Sequence, residues 1–219
     1  MISLDYKLAF IIPYRDREEH LAMFVPHYRN LFPDADIYVV HQLGKAPFNK
    51  GMLFNIGFLY VEQRADAFDL SDVDMLAVEG HVDYSFPRAA THLASAASQF
   101  GYKMPYPIYF GGHVLVTAEQ MRSVNGFYND YPGYGCEDDS FYRSFVNKGL
   151  PVDRRYGRYE SLPHNRHVDH DEHLMDLFNR NWEHFKSVPR DYSNGITSCK
   201  YDIAAVHQLE GYTQLDVNI

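Results

Sequence analysis

Leu8-Ala-Phe-Ile-Ile12, the corner Pro13-Tyr-Arg-Asp-Arg17, a helical pattern from Arg17 to Leu31, then Asp36-Ile-Tyr-Val-Val40: this opening stretch decides the fold. Each apolar run is short and bounded by turn residues, as buried strands are, and the stretch between them has helical character. The alternation continues with a second helical pattern from Lys50 to Gln63. It predicts an α/β fold with a largely parallel sheet. In such sheets ligands sit beyond the carboxyl ends of the strands, which is where the corner holding Arg15 and Arg17 falls.

Composition sets the outer limits. The 219 residues are 46% hydrophobic and 16% aromatic, enough for one domain over residues 1–219 with a substantial core and too apolar for a disordered chain. No run approaches the ~18 apolar residues that a bilayer span needs, and the start has no signal-like pattern. A net charge of −9 argues against nucleic acid as a partner, because phosphate-backbone binding relies on clustered Lys and Arg. A small phosphorylated ligand held by two or three arginines remains compatible. Cys136 and Cys199 are too few for a disulfide framework and lack metal-type spacing, so a reducing compartment is expected, with a single bridge as the alternative.

Several segments carry chemistry-bearing residues. Arg15 and Arg17 offer planar donors to phosphate or uracil oxygens, and Phe48-Asn-Lys50 opens a helix whose free amides and cation could meet a ligand. Ser71-Asp72-Val73-Asp74 reads as the end of a strand. In extended backbone both aspartates would share one side, one holding a divalent cation and the other a ribose or the metal's surroundings; an ordinary solvated turn, where Asp-x-Asp is common, is the alternative. Asp69, inside that strand, needs a partner or an exposed edge. Ile108-Tyr-Phe-Gly-Gly112 and Val114-Leu-Val-Thr117 read as strand, glycine pair, strand, with the glycines permitting close approach or positive φ. Glu137-Asp138-Asp139 starts a helix running through Phe145 to Gly149. Carboxylates there favour the helix dipole by roughly 0.3–1 kcal/mol each, yet three adjacent acids repel one another unless they bind hydroxyls or a proton. His164, His167, His170 and His173 recur at every third residue, a pattern open to Mn, Fe or Zn ligation or to a solvated loop.

Taken in order, these segments resemble the β-1,4-galactosyltransferase family of inverting glycosyltransferases (glycosyltransferase family 7). The match rests on Ile11-Ile-Pro-Tyr-Arg-Asp-Arg-Glu-Glu-His-Leu21, Phe48-Asn-Lys50 with Leu53-Phe-Asn-Ile-Gly-Phe58, Ser71-Asp-Val-Asp74, Tyr109-Phe-Gly-Gly112, Asn125-Gly-Phe127 and Gly133-Tyr-Gly-Cys-Glu-Asp-Asp139. Asn194-Gly-Ile196 and Tyr212-Thr-Gln-Leu-Asp-Val217 look like the family's closing segments. Each piece is weak alone; the ordered set is specific.

The resemblance implies a GT-A fold, a Rossmann-like nucleotide half joined to an acceptor half, and a reaction using UDP-galactose and Mn²⁺ with a saccharide or glycan acceptor. It implies that Pro13, Arg15, Arg17, Phe48 and Lys50 hold UDP, with Lys50 where the family usually has Arg. Asp72, Val73, Tyr109 and Gly112 would line the donor, Tyr109 favouring galactose over N-acetylgalactosamine by its bulk. Asp74, His164 and His167 would be the metal ligands, Asp138 the base, and Glu137, Asp139 and Tyr134 the sugar-binding groups. Two departures stand out. The family's Trp-Gly-Trp-Gly loop is Pro132-Gly-Tyr134-Gly here, and the cysteine pairs and membrane anchor of secreted animal members are missing. A bacterial-type cytoplasmic enzyme is therefore expected, with a Golgi-lumenal domain trimmed of its anchor as the alternative. The stretch from Leu162 to Tyr192 would cover the bound donor. A transferase for another UDP-sugar, and a noncatalytic carbohydrate- or nucleotide-binding module, are the competing readings.

Overall fold

The structure, a computed structural model, describes residues 1–163 and 172–219. Its first half alternates as the opening stretch predicts: β1 (Leu8–Tyr14), α1 (Glu18–Leu31), β2 (Asp36–Gln42), α2 (Lys50–Val61) and β3 (Ala67–Ser71). Every residue of β1 is buried, the signature of a strand covered on both faces. α1 covers one face with Leu21, Phe24, Val25, Tyr28 and Leu31, the spacing of an amphipathic helix. α2 covers the other and is apolar on nearly all sides. At Gly57 a Cβ would collide with Ile11 and Val40, so α2 sits closer to β1 and β2 than any side chain allows. Asn49 caps α2, its side chain accepting from the Met52 amide at 3.1 Å, a bond of the kind that contributes about 1 kcal/mol.

Beyond β3 come β4 (Met75–Ala77), β5 (Ala90–His92), β6 (Ala96–Ala97), β7 (His113–Val116), α3 (Ala118–Ser123), α4 (Glu137–Asn147), β8 (Val152–Arg154), β9 (Arg158–Ser161), α5 (Glu172–Ser187), β10 (Asp202–Leu209) and β11 (Tyr212–Asn218). The main sheet has eight strands in the order β10-β11-β2-β1-β3-β7-β5-β8, and β4-β9-β6 form a second, smaller sheet. β1 pairs in parallel with both β2 and β3, and β11 joins β2 in parallel. The expectation of a largely parallel sheet needs correction: β7 is antiparallel to β3 and to β5, and β10 to β11, so the sheet is mixed. The chain winds from β1 to β2 on one side and returns to β3 on the other. The ends of β1, β2 and β3 therefore meet at a topological switch point, where a crevice for a ligand opens.

A second correction concerns residues 108–110, expected as a strand. They form no ladder. Pro105 and Pro107 bring no amide hydrogens, and the carbonyls of Pro107, Tyr109 and Gly111 accept from side chains: Arg154 Nη2 at 3.0 Å, Arg154 Nη1 at 2.5 Å and His92 Nε2 at 2.9 Å. Burial and the adjacent Arg154 push the His92 pKa down to about 3, so the ring is neutral and acts as a hydrogen-bonding group. The second half of the expected pair is present as β7.

Candidate active site

β3 ends at Ser71 and the chain turns at once. Asp72 N–H donates to the Gly112 carbonyl at 2.8 Å, and Met75 N–H returns to the Asp72 carbonyl at 3.3 Å. Asp72 and Asp74 therefore lie on a turn, and the expectation that extended alternation would align them does not hold. Val73 points its side chain into the core, leaving its main chain as the group a ligand could use. Gly112, at φ +85°, lies over this turn, where a Cβ would come within 2.9 Å of Ala94.

The sequence suggested Lys50 for UDP, and the structure adds something the sequence did not show. Its ammonium lies 2.7 Å from Asp138 Oδ2, 2.9 Å from Glu137 Oε1 and 3.3 Å from Asp72 Oδ1. The start of α2, the turn after β3 and the first turn of α4 thus meet at one cation. Burial disfavours the Lys50 charge, but Asp138, Asp72 and Glu137 outweigh it, and the pKa stands well above the usual lysine value. Burial raises the pKa of Asp138 well above the carboxylate range; Lys50 pulls it down while Glu137 and Asp72 push it further up. Asp72 is raised for the same first reason, with Asp74 and Glu137 adding to it against Lys50. A carboxylate held this way has a heightened appetite for a proton.

Tyr109 and Tyr106 complete this wall, their rings edge to face at 5.5 Å. The Tyr106 hydroxyl donates to Asp139 at 3.2 Å. Burial, resisted by that bond, raises the Asp139 pKa to about 6. Gly111 makes room for the acids, since a Cβ there would sit 2.5 Å from Asp138 Oδ2. Tyr106 escaped the sequence reading; its one signal was a tyrosine between two prolines just ahead of Tyr109-Phe-Gly-Gly112.

Arg15 donates to the Ala46 carbonyl at 2.7 Å and lies over the Phe48 ring, 5.4 Å from its centroid. Arg17 precedes α1 and Pro13 is buried within β1. Gln42, fully buried at the end of β2, shapes the loop that delivers Phe48 and Lys50: its Oε1 accepts from Asn49 N–H at 2.9 Å and its Nε2 donates to Ala46 and Pro47. The only hint was a polar residue closing an apolar strand.

Tyr134 is 47% exposed and packs beside Phe178 with ring centroids 6.0 Å apart. The flanking Gly133 and Gly135, at φ +86° and +89°, lie against Leu177 and Phe178 of α5. Asn181 donates to the Pro132 and Tyr134 carbonyls at 3.0 and 3.1 Å, and Gly133 N–H to the Phe48 carbonyl at 2.7 Å. One loop thus bridges the Phe48 segment and α5.

Of the proposed metal ligands, Asp74 stands on the turn after β3, while His164 and His167, like His170, lie outside the described residues; His173 is an exposed residue of α5. Among the described residues no three His, Cys, Asp or Glu side chains form a metal-holding group. What the structure does place is the approach: Leu162 N–H donates to the Asp74 carbonyl at 2.7 Å, so the chain leading to His164 starts beside Asp74. A carboxylate joined by imidazoles is a donor set that suits Mn²⁺.

Family models match most of this chain. One, described as "N-terminal region of glycosyl transferase group 7", covers residues 3–87, and another, "N-terminal domain of galactosyltransferase", covers residues 91–171. Beta-1,4-galactosyltransferase 1 of Mus musculus is 33% identical over 98% of this chain and 55% of its own length. Beta-1,4-galactosyltransferase 2 of Homo sapiens is 32% identical over 97% of this chain and 59% of its own. The chain spans about half the length of the curated relatives it matches. The catalytic domain of Drosophila β-1,4-galactosyltransferase 7, in complex with xylobiose, superposes with a TM-score of 0.82 at 28% identity, covering 98% of this chain and 94% of that one. A mutant of the same Drosophila enzyme, in complex with manganese, UDP-Gal and xylobiose, superposes equally well. The fold is GT-A, as the sequence implied.

Proposed function

Because the chain belongs to the β-1,4-galactosyltransferase family of glycosyl transferase group 7, we propose that it moves galactose from UDP-galactose to a hydroxyl of a saccharide or glycan acceptor, making a β-1,4 linkage. The observation that carries this reading is the meeting of Asp72, Glu137 and Asp138 at Lys50. It joins the donor turn to the acid cluster, which a module that only binds sugar has no chemical need to do.

Residues 1–219 act as one catalytic domain. Pro13, Arg15, Arg17, Phe48 and Lys50, at the ends of β1 and β2, hold the uridine diphosphate. Asp72, the main chain of Val73, Tyr109 and Gly112 position the donor sugar. Asp138 takes the proton of the acceptor hydroxyl, and the freed oxygen attacks the anomeric carbon opposite the departing diphosphate, inverting it in a single displacement. Glu137, Asp139 and Tyr134 orient the sugars. Held by Asp74 with His164 and His167, Mn²⁺ would supply positive charge where the diphosphate leaves. The free thiols of Cys136 and Cys199 suit a reducing, cytoplasmic setting. Among the described residues no helix is long and apolar enough to cross a membrane.

The test is a panel of UDP-sugars against acceptors, xylosides included since the Drosophila relative binds xylobiose, with and without Mn²⁺. Galactose transferred only with Mn²⁺, in a β-1,4 linkage, is expected. Binding of UDP without transfer from any donor would make the chain a binding module; transfer from a different UDP-sugar would replace the donor.

A further inference from the structure

Behind the Asp72–Asp74 turn lies a second polar cluster that none of the proposed roles uses. Asp69 on β3 and His113 on β7 are both fully buried, and Tyr28 of α1 and Tyr84 close around them. His113 Nδ1 faces both Asp69 oxygens, at 2.9 and 3.1 Å, and the Tyr84 hydroxyl donates to Asp69 Oδ2 at 2.6 Å. On its far side His113 Nε2 lies 3.1 Å from the Tyr28 hydroxyl and 3.2 Å from the Met75 carbonyl. That hydroxyl donates to the Met75 carbonyl at 3.0 Å and accepts from Ala77 N–H at 3.1 Å. Carboxylate oxygens accept, so Nδ1 is the ring nitrogen that offers a proton to Asp69, while Nε2 sits between the Tyr28 hydroxyl and the Met75 carbonyl. Burial, above all, holds the Tyr28 and Tyr84 hydroxyls well above their usual pKa, as phenols.

The turn is thus pinned at both ends by neighbouring residues, Gly112 just before β7 and His113 at its start. Gly112 takes the Asp72 amide at its start, and His113, with Tyr28, takes the Met75 carbonyl directly after Asp74. Buried polar groups are costly unless satisfied, and this set is satisfied in one arrangement of the turn. We propose that the Asp69–His113–Tyr28 chain is a positioning device that fixes the direction of the Asp74 carboxylate, and with it the affinity of the turn for a divalent cation. This rests on the reading of Asp74 as a metal ligand. Partners behind a ligand commonly change metal affinity by about 10–100-fold when removed.

The test uses the full chain and Mn²⁺ itself, followed by the electron paramagnetic resonance of free Mn²⁺ during titration in the presence of UDP. Asp74→Ala is the control for the site, Tyr28→Phe removes one hydroxyl, and His113→Asn keeps a donor toward Asp69 while losing the contact with Met75. Expected is a loss of Mn²⁺ affinity of about ten-fold or more in Tyr28→Phe and His113→Asn, with turnover at saturating Mn²⁺ and donor within about two-fold of wild type. A merely structural role gives the reverse pattern, fewer active molecules with unchanged affinity, and that result overturns the inference. If Asp74→Ala titrates as wild type, the reading of the site falls and the inference with it. If Asp74→Ala loses the ion while Tyr28→Phe and His113→Asn bind it normally, the positioning role alone is wrong. Should His113→Asn fail to fold, the single hydroxyl of Tyr28 decides.

Discussion

Two polar clusters flank the end of β3, and they are built on opposite rules. Around Asp69 one carboxylate has donors from His113 and Tyr84 and no exposure to solvent. Around Lys50 one ammonium serves three carboxylates, Asp72, Glu137 and Asp138, whose side chains keep 26%, 13% and 19% of their exposure. The first set is hydrogen-bonded within itself and sealed. The second sets three acidic groups against one ammonium and opens toward solvent, a demand that a cation or a proton can meet. Satisfied burial gives shape, whereas surplus acid beside a crevice is the mark of groups arranged for a ligand or a reaction.

The sharpest way to break this contrast is to neutralise one acid of the open cluster. Asp138→Asn should lower turnover by about 10²–10⁴-fold, the usual worth of a positioned base, while calorimetry finds UDP and Mn²⁺ binding nearly unchanged. Stability should not fall, because a repelling charge has been removed. Turnover at the wild-type rate takes Asp138 out of the base role. The sealed cluster should respond in the opposite sense. Asp69→Ala leaves His113 Nδ1 and the Tyr84 hydroxyl buried without their acceptor, and each buried group left unsatisfied costs about 1–3 kcal/mol, measurable by denaturant unfolding. A loss below 1 kcal/mol would mean the cluster is no more than a weak surface-type pair.

Tyr109 sharpens the comparison on the side of substrate choice. It is held by Arg154 and His92 through the carbonyls around it, so its ring has little room to yield to a larger donor. Tyr109→Leu should raise transfer of N-acetylgalactosamine relative to galactose by about ten-fold, the scale on which pocket volume discriminates. An unchanged ratio in a competition assay with both donors would assign donor choice to another residue.

These contrasts also explain what the sequence could and could not tell. β1, α1, β2 and α2 were legible because their apolar spacing is local and both sheet faces are covered. Arg15, Lys50 and Asp72 were legible as positions, since strand ends are where this fold class opens. Their partners were not. Lys50 and Asp138 are 88 residues apart, and no local pattern marks the pair. Residues 108–110 looked like a strand because apolar runs do; what keeps them out of a ladder is Arg154, 45 residues on from Tyr109. Asp69 was legible as a charge needing a partner, while His113, 44 residues away, was hidden in an ordinary strand.

Asp139 stands between the two rules and gives the finest test. It belongs to the acid cluster, yet a Tyr106 hydroxyl satisfies it, and its pKa rises from 3.8 to about 6 because burial favours the neutral acid. The folded chain therefore binds this proton more tightly than the unfolded chain. Its contribution to stability is full below the unfolded value of 3.8 and is lost as pH rises to about 6. The difference in melting temperature between wild type and Asp139→Asn, followed from about pH 3.5 to about pH 7.5, should open across that window and stay constant above it. Tyr106→Phe removes the donor that favours the charged form, so the upper edge of the window should move to higher pH. A difference that is flat from end to end would mean that Asp139 binds its proton equally in the folded and unfolded chains, so that burial does not raise its pKa.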